Sequence, residues 1–319
     1  MIHARDLTRT FKTKSGPVEA VRGLSLDVAE GEMVAFLGPN GAGKSTSVRM
    51  LTTLLPLTSG SASVGGHDVV ADPAGVRRKI GYVGQGTGSG PYHRVRDELV
   101  TQGRAQRMTA AAAQRRADEL LGMLELDGLA DRPSASLSGG QKRRLDVALG
   151  LMHTPPILFL DEPSTGLDPH SRANLWDHIT RLRKASGMTI FLTTHYLDEA
   201  DTMAERVMVM DHGVMIADDT PARLKADLAG DTIHVSLLCA DQLATAAEIA
   251  QNLPDARETS AEGRDIAVTL RDGEAVLPEF IRRLHQSGIE AIGARVVRPT
   301  LDDVFLGLTG RSLRETAAA

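Results

Sequence analysis

The sequence has little of several features that would point to common classes of protein. Cys239 is the single cysteine in 319 residues, so no disulfide or paired-thiol metal site can form within the chain, and a reducing compartment is indicated. We expect Cys239 to be a small buried apolar residue. The 36 Lys+Arg are outnumbered by 41 Asp+Glu, and the net charge of -5 argues against nucleic acid as the main partner.

Long apolar runs are also missing. No segment approaches the roughly 18 apolar residues that a membrane span needs, and the first residues carry charges where a signal peptide has an apolar core. We therefore expect a chain that is soluble by itself. Its length allows two domains, or one large domain with an appendage.

Short apolar runs alternate with segments of helical period, which predicts the buried strands of an α/β sheet. The runs are MVAFL (33–37), ILFL (157–160), TIFLT (189–193) and RVMVM (206–210). Residues of about 90–150 are rich in helix formers and predict a helical subdomain inserted into this sheet. A pair of apolar runs around Asp211 predicts a hairpin that closes a first domain at about residue 220.

The remainder of the chain predicts a second, smaller domain. After a linker at 221–231, strands and helices alternate over 232–310 in an order that favours a small α+β domain of ferredoxin-like type. Thr300 and Asp303 are spaced as a capping box that begins the last helix. Residues 311–319 are expected to be disordered.

A glycine-rich loop follows the first of the apolar runs and leads into a helical segment, the setting of a P-loop. It comprises Gly38, Pro39, Asn40, Gly41, Ala42, Gly43, Lys44, Ser45 and Thr46. The backbone N–H groups and the helix N-terminus predict binding of the ATP phosphates. Lys44 would neutralise β- and γ-phosphate oxygens, and Ser45 would ligate Mg²⁺. The alternative is a glycine-rich turn capped by Ser45 and Thr46.

Polar residues also follow two other predicted strands. Asp161 and Glu162 come directly after ILFL, at the carboxyl end of a strand, where ligands bind in open α/β sheets. Asp161 is predicted to support Mg²⁺ and Glu162 to polarise the attacking water. His195 follows FLTT and is predicted to donate a hydrogen bond to a γ-phosphate. The alternative for the carboxylates is an ordinary acidic strand end.

A second set of glycines stands about 90 residues after the first. Ser138, Gly139, Gly140 and Gln141 precede a segment of helical period and so predict a helix N-terminus with free N–H groups, a second anion site. The helical insert lies between the two loops, so one γ-phosphate cannot easily use both within one chain. A second protomer that supplies this loop would solve the geometry.

The order of these motifs, with GYVGQ and STGLD, resembles the nucleotide-binding subunit of an ATP-binding cassette (ABC) transporter over about residues 1–220. The resemblance implies a P-loop NTPase with a RecA-like core and a helical subdomain. It implies a head-to-tail homodimer in which Ser138 and Gly140 meet the ATP of the other chain. It also implies that Gln85 senses Mg²⁺ and the attacking water, that Asp168 signals across the dimer, and that Phe11 stacks on adenine. The alternative for Phe11 is a core aromatic.

The C-terminal region and the phrases "TTHYLDEAD" and "PTLDDVFLGLTG" resemble the ATP-binding subunits of daunorubicin/doxorubicin-resistance exporters. That resemblance implies ATP hydrolysis at the cytoplasmic face of the membrane, powering drug efflux through a separate permease of the ABC-2 type. Two alternatives stay open. One is a cassette of the same type that exports lipid, polysaccharide or ions, and the other is a non-transport ABC ATPase that acts on ribosomes or DNA.

Overall fold

The computed structural model describes residues 1–14 and 16–310 and divides them into two compact units. The first spans Met1–Ile216, and the second begins at Ala217. Residues 311–319, for which we predict disorder, lie outside the described residues. Within the described ranges, no helix has both the length and the apolar character that crossing a bilayer requires.

The described part of the first unit contains two sheets, apart from the last residues of one strand that run past Ile216. The strands are β1 Ile2–Thr13, β2 Gly16–Val28, β3 Met33–Leu37, β4 Ser59–Val64, β5 His67–Asp68, β6 Ile80–Val83, β7 Ile157–Asp161, β8 Thr189–Thr194, β9 Arg206–Asp211 and β10 Val214–Asp219. A six-stranded sheet has the order β10-β9-β3-β8-β7-β6, and a four-stranded sheet has the order β2-β1-β4-β5.

The six-stranded sheet forms from the apolar runs predicted as strands. Strands β3, β7 and β8 are buried along their whole length, as expected of parallel strands covered on both faces. Pairs β9-β3, β3-β8, β8-β7 and β7-β6 are all parallel, so their carboxyl ends meet at one edge. The predicted hairpin around Asp211 is confirmed, because β10 lies beside β9.

The four-stranded sheet has no counterpart in the sequence predictions. Strand β1 pairs antiparallel with β2 and with β4, but each ladder contains register shifts. Such irregularities break the alternation of apolar and polar residues that reveals a half-buried strand. Its buried side chains, among them Ile2, Leu7 and Leu24, join the core that also holds Phe36 and Phe159 of the parallel sheet.

Seven helices accompany these sheets in the described part of the first unit. They are α1 Lys44–Leu51, α2 Pro73–Lys79, α3 Val95–Ala105, α4 Ala110–Met123, α5 Gly139–Leu151, α6 Pro169–Ser186 and α7 Leu197–Met203. Helices α3, α4 and α5 occupy the region predicted as a helical insert, and Leu120, Leu121 and Leu124 are buried there as their spacing predicts.

The described part of the second unit consists of α8 Pro221–Leu224, β11 Asp231–Leu237, α9 Leu243–Gln251, β12 Glu258–Glu262, β13 Asp265–Leu270, α10 Gly273–Gln286, β14 Ala291–Val297 and α11 Leu301–Thr309. Its four strands form an antiparallel sheet with the order β12-β13-β11-β14. The chain order from β11 to β14 is β-α-β-β-α-β. Residues such as Val235, Val268 and Phe280 form a separate apolar core. The predicted capping box of Thr300 and Asp303 begins α11.

The prediction for Cys239 is wrong, because this residue is exposed. Ile233, Val235 and Leu237 alternate inward along β11, and the same alternation would have buried position 239. However, the strand ends at Leu237, and the chain turns into a short 3₁₀ helix at Ala240–Gln242. The end of the strand therefore leaves the thiol at the surface.

Candidate functional site

The glycine-rich loop joins β3 to α1 and is pressed against neighbouring strands. A Cβ at Gly38 would lie 2.2 Å from the carbonyl oxygen of Met210, and a Cβ at Gly43 would lie 2.4 Å from that of Ala20. Gly43 also has a φ of 108°, in the left-handed region that favours glycine. Glycine is therefore required at both positions. The loop ends at the N-terminus of α1, where unpaired N–H groups and the helix dipole favour an anion.

Lys44 is held within this loop. Its Nζ donates to the carbonyl oxygens of Gly38 at 2.5 Å and Pro39 at 3.1 Å, and it lies 3.7 Å from Oε1 of Glu162. Only 4% of the side chain is exposed. Burial lowers the pKa of Lys44, while the neighbouring carboxylates oppose that change. A buried ammonium bonded mostly to neutral carbonyl groups attracts a phosphate strongly.

Asp161 connects the loop to the sheet. Its fully buried carboxylate accepts hydrogen bonds at Oδ1 from Ser45 at 2.9 Å and from Thr193 at 2.7 Å. Gln85 enters from the loop after β6 and donates its Nε2 to the Ser45 hydroxyl at 3.0 Å. A carboxylate, a hydroxyl and an amide are hard oxygen donors, the ligand type that Mg²⁺ prefers when phosphate and water complete its shell. The donor set therefore fits the predicted ion.

Glu162 has an unusual backbone conformation, with a φ of 49°. Its N–H donates to the Thr193 carbonyl at 3.1 Å and lies 3.0 Å from the Thr193 hydroxyl, which holds this left-handed turn. Its Oε2 is 3.4 Å from Nδ1 of His195. The close approach of the His195 imidazole lowers the pKa of Glu162, against the opposing effect of burial, with a smaller contribution from Lys44. The carboxylate therefore stays ionised as pH falls, until pH reaches this lowered pKa.

These side chains face one cavity of about 290 Å³. Its lining consists of Ala20, Pro39, Asn40, Gly41, Gly43, Lys44, Ser45, Thr46, Gln85 and Glu162. Residues from four separate parts of the sequence therefore meet there, and all but Ala20 follow parallel strands, as their positions predict. Gly38, Ala42, Asp161 and His195 are placed beside the cavity by the loop and by the contacts described above.

Ser138 begins α5 and is used locally as its cap. The hydroxyl accepts from Gln141 N–H at 3.3 Å, and Gln141 Oε1 accepts from Ser138 N–H at 2.9 Å, a reciprocal capping box. A second cavity of about 250 Å³ opens here. Its lining consists of Glu125, Ser138, Gly140, Gln141, Arg144, His170, Ser171 and Asn174. The two predicted anion loops therefore line different cavities of the same chain.

Asp168 lies next to this second cavity and caps α6. It accepts from Ser171 N–H at 2.9 Å and from the Ser171 hydroxyl at 2.6 Å, and these bonds lower the pKa of Asp168. A Cβ at Gly140 would lie 2.8 Å from the Ser171 hydroxyl. Asp168 and the Gly140 loop thus share Ser171 as a neighbour.

Phe11 lies on β1, outside the described lining of either cavity. The guanidinium of Arg9 stacks over its ring at 4.7 Å from the centroid. Its predicted role in adenine stacking stays a prediction.

Two residues that contact the site were missed in the sequence. Thr193 of β8 is the register partner of Asp161 in the neighbouring strand β7. The sequence pattern that could have identified it is a hydroxyl residue near the end of the strand that precedes His195. Arg143 is buried and donates to the backbone on either side of Glu162. No signal distinguished it, because a run of basic residues after a helix N-terminus is typical of a solvated face.

A P-loop at the end of β3, a carboxylate pair at the end of β7 and a helix capped by Ser138 behind a helical insert define an ATP-binding cassette. Residues 21–165 match the ABC transporter family, and residues 220–309 match the C-terminal domain of DrrA1-3-like ATP-binding proteins.

Two relatives and one solved structure show how closely the chain is matched. The daunorubicin resistance ATP-binding protein DrrA3 of Streptomyces coeruleorubidus is 43% identical over 305 residues, 95% of each chain. The doxorubicin resistance ATP-binding protein DrrA of Mycobacterium tuberculosis is 40% identical over 298 residues, 92% of this chain and 89% of that protein. A dimeric ATP-binding cassette in a post-hydrolysis state, bound to ADP and Pi, is 27% identical with a TM-score of 0.64 over 69% of this chain and 98% of its own.

The chain belongs to the family of daunorubicin/doxorubicin resistance ATP-binding proteins, which are ATPases of ABC transporters. The predicted fold class, ATP binding and ATPase activity are thereby confirmed.

Replacing Thr193 by valine tests the contacts around Asp161. Thr193→Val keeps the side-chain shape but removes the hydroxyl that bonds Asp161 and Glu162, so we expect Mg²⁺-dependent ATP hydrolysis to fall about tenfold or more. The matched control is Thr189→Val in the same strand, where an equally buried hydroxyl accepts from Gly31 N–H away from the site. Equal losses of activity in both variants, measured beside their thermal unfolding midpoints, would contradict a specific role for Thr193.

Proposed function

We propose that this chain closes with a second copy of itself around MgATP and thereby powers export of a hydrophobic drug or antibiotic through a separate membrane permease of the ABC-2 type. The observation that carries the proposal is the meeting of Lys44, Ser45, Gln85 and Glu162 in one cavity, while Ser138 lines another.

The ligands for the ion come from the loop and from two strand ends. Ser45 and Gln85 would hold Mg²⁺, and Asp161 would hold it directly or through water, since the Ser45 hydroxyl lies within hydrogen-bond distance of both an Asp161 oxygen and the Gln85 side-chain amide. When bound, the ion supplies positive charge beside the β- and γ-phosphate oxygens. Lys44 adds a second positive charge on the same phosphates once its bonds to the loop carbonyls are exchanged for bonds to phosphate.

Glu162 acts on the water that attacks the γ-phosphate, and His195 acts on the γ-phosphate itself. Glu162 is ionised at neutral pH and can polarise that water and receive its proton. Nδ1 of His195 is turned to Glu162, so Nε2 on the opposite side of the ring is the nitrogen that can donate to a γ-phosphate oxygen. The left-handed turn at Glu162 fixes its direction relative to Lys44.

A homodimer completes the site. Gly38–Thr46 and Ser138–Gln141 each end in a helix N-terminus, but they line separate cavities in one chain. If two copies pair head to tail, each P-loop faces the Ser138 loop of the other copy, and two ATP molecules are shared between them. Asp168, beside Ser171 and the Gly140 loop, would then lie at the dimer interface.

The names of the relatives support the proposed cargo. The two relatives are named for resistance to daunorubicin and to doxorubicin, which favours a hydrophobic drug as cargo and is consistent with a subunit that works with a permease at the cytoplasmic face of the membrane. Export of lipid, polysaccharide or ions by the same ATPase mechanism is the alternative that a cargo test distinguishes.

Mixing two inactive variants tests the shared site. In a dimer of Ser138→Arg with Lys44→Ala, one composite site keeps both Lys44 and Ser138, whereas neither homodimer has an intact site. Random pairing then predicts recovery of about a quarter of wild-type ATP hydrolysis if the two sites act independently. A mixture no more active than its separate components would contradict sharing between copies.

The drug sensitivity of a strain without this gene tests the proposed cargo. A strain that lacks this gene should become several-fold more sensitive to an anthracycline of the daunorubicin type. The wild-type gene and the control Glu205→Gln, whose carboxylate pairs with Arg183 away from the site, should restore resistance, while Glu162→Gln should not. Unchanged drug sensitivity of the deletion strain would favour the other cargo classes.

A further inference from the structure

Arg143 on α5 is a buried charge whose contacts all lead to the site. It is 7% exposed, and its guanidinium donates from Nε to Pro163 O at 2.5 Å, from Nη1 to Gly84 O at 2.6 Å and from Nη2 to Asp161 O at 3.3 Å. A planar fork of donors can hold several carbonyl oxygens at fixed separations, which a lysine ammonium cannot reproduce. Arg143 thus donates to the backbone carbonyl just before Gln85 and to the carbonyls on both sides of Glu162.

Asp146 lies one turn further along the same helix and holds the other end of the Gln85 segment. It is 5% exposed, and its Oδ1 accepts from Gly88 N–H at 2.8 Å. Its Oδ2 is 3.9 Å from Arg143 Nη1 and has no hydrogen-bond partner among the described residues. Burial raises the pKa of Asp146, because the buried carboxylate has lost part of its hydration.

The packing of helix α5 on strand β6 holds these two side chains in place. It packs so closely on β6 that a Cβ at Gly81 would lie 2.4 Å from the carbonyl oxygen of Gly150. The backbones of helix and strand therefore approach closely at Gly81 and Gly150, and this close packing supports the positions of Arg143 and Asp146 beside the end of β6. The Gln85 segment begins where β6 ends, and it is therefore tied at both its strand and its helix side.

A buried ion pair is a poor way to gain stability, because well-packed apolar residues usually do as well or better. The contacts of this pair are instead directional. Those of Arg143 end on backbone next to Gln85 and Glu162, and that of Asp146 ends on Gly88, three residues after Gln85. We propose that Arg143 and Asp146 are positioning residues, which set Gln85 for the metal and Glu162 for the attacking water by fixing the backbone on either side of each. The inference rests on the proposed roles of Gln85 and Glu162.

The test compares Arg143→Lys with the matched control Arg116→Lys. Arg116 of α4 is also largely buried and donates to a backbone carbonyl, Leu151 O at the far end of α5, but it lines neither cavity. The first readout is amide hydrogen exchange of a peptide that spans residues 84–88, in the nucleotide-free protein. Exchange should be faster in Arg143→Lys and unchanged in Arg116→Lys, because only the first variant releases Gly84 O.

The second readout is ATP hydrolysis as a function of Mg²⁺ concentration. Arg143→Lys should lower kcat about tenfold or more and raise the Mg²⁺ concentration for half-maximal activity, since displacement of a positioned group by about 1 Å has effects of this size. Binding of a fluorescent ATP analogue without metal should stay within about twofold of wild type, because the glycine-rich loop is untouched. Asp146→Ala, which frees Gly88 N–H, should change the Mg²⁺ dependence in the same direction.

Wild-type exchange at residues 84–88 together with a wild-type Mg²⁺ midpoint in Arg143→Lys would overturn the inference, as would equal changes in Arg116→Lys. The exchange measurement needs no nucleotide and therefore stands apart from the proposed function. Loss of hydrolysis in wild type itself would instead refute the proposed function.

Discussion

The carboxylate of Asp161 is the interaction on which the site depends. It is fully buried at the end of β7, and an unpaired charge at that depth would strongly destabilise the fold. Its charge is met by hydroxyl groups from two neighbouring structures: Ser45 at the start of α1 and Thr193 at the end of β8. The hydrogen bonds that satisfy Asp161 therefore also fix the P-loop against the sheet, and the same oxygens are the donors that a hard divalent cation requires.

The parallel order of the strands explains why residues distant in sequence gather around Asp161. The Ser138 loop is not among them. β3, β7 and β8 are adjacent, so Lys44, Glu162 and His195 follow strands that end at the same edge. Ser138 instead begins α5 on a different cavity, and Arg143 and Asp146 of that helix reach back to the backbone around Gln85 and Glu162. In the proposed dimer, the N-terminus of α5 thus contacts the ATP held by the partner, and residues in the first turns of α5 contact the site of their own chain.

The sequence predicted those parts of the molecule whose signal is local. Fully buried parallel strands read as continuous apolar runs, and the glycine-rich loop is recognisable because Gly38 and Gly43 admit no side chain. The sheet of β1, β2 and β4 was missed because its register shifts disrupt the alternation of apolar residues. Arg143 was missed because burial of a guanidinium is decided by tertiary contacts, and Cys239 was misplaced because the end of β11 is not marked in its apolar pattern.

Metal binding tests the central role of Asp161 most directly. Mn²⁺ can serve as a spectroscopic probe for Mg²⁺, and its affinity can be measured by electron paramagnetic resonance with a non-hydrolysable ATP analogue present. Asp161→Asn keeps the shape of the side chain and an oxygen for Ser45 or Thr193, but removes the charge. We predict that it weakens Mn²⁺ binding about tenfold or more while metal-free binding of the analogue is retained. Mn²⁺ affinity equal to that of wild type would contradict the account.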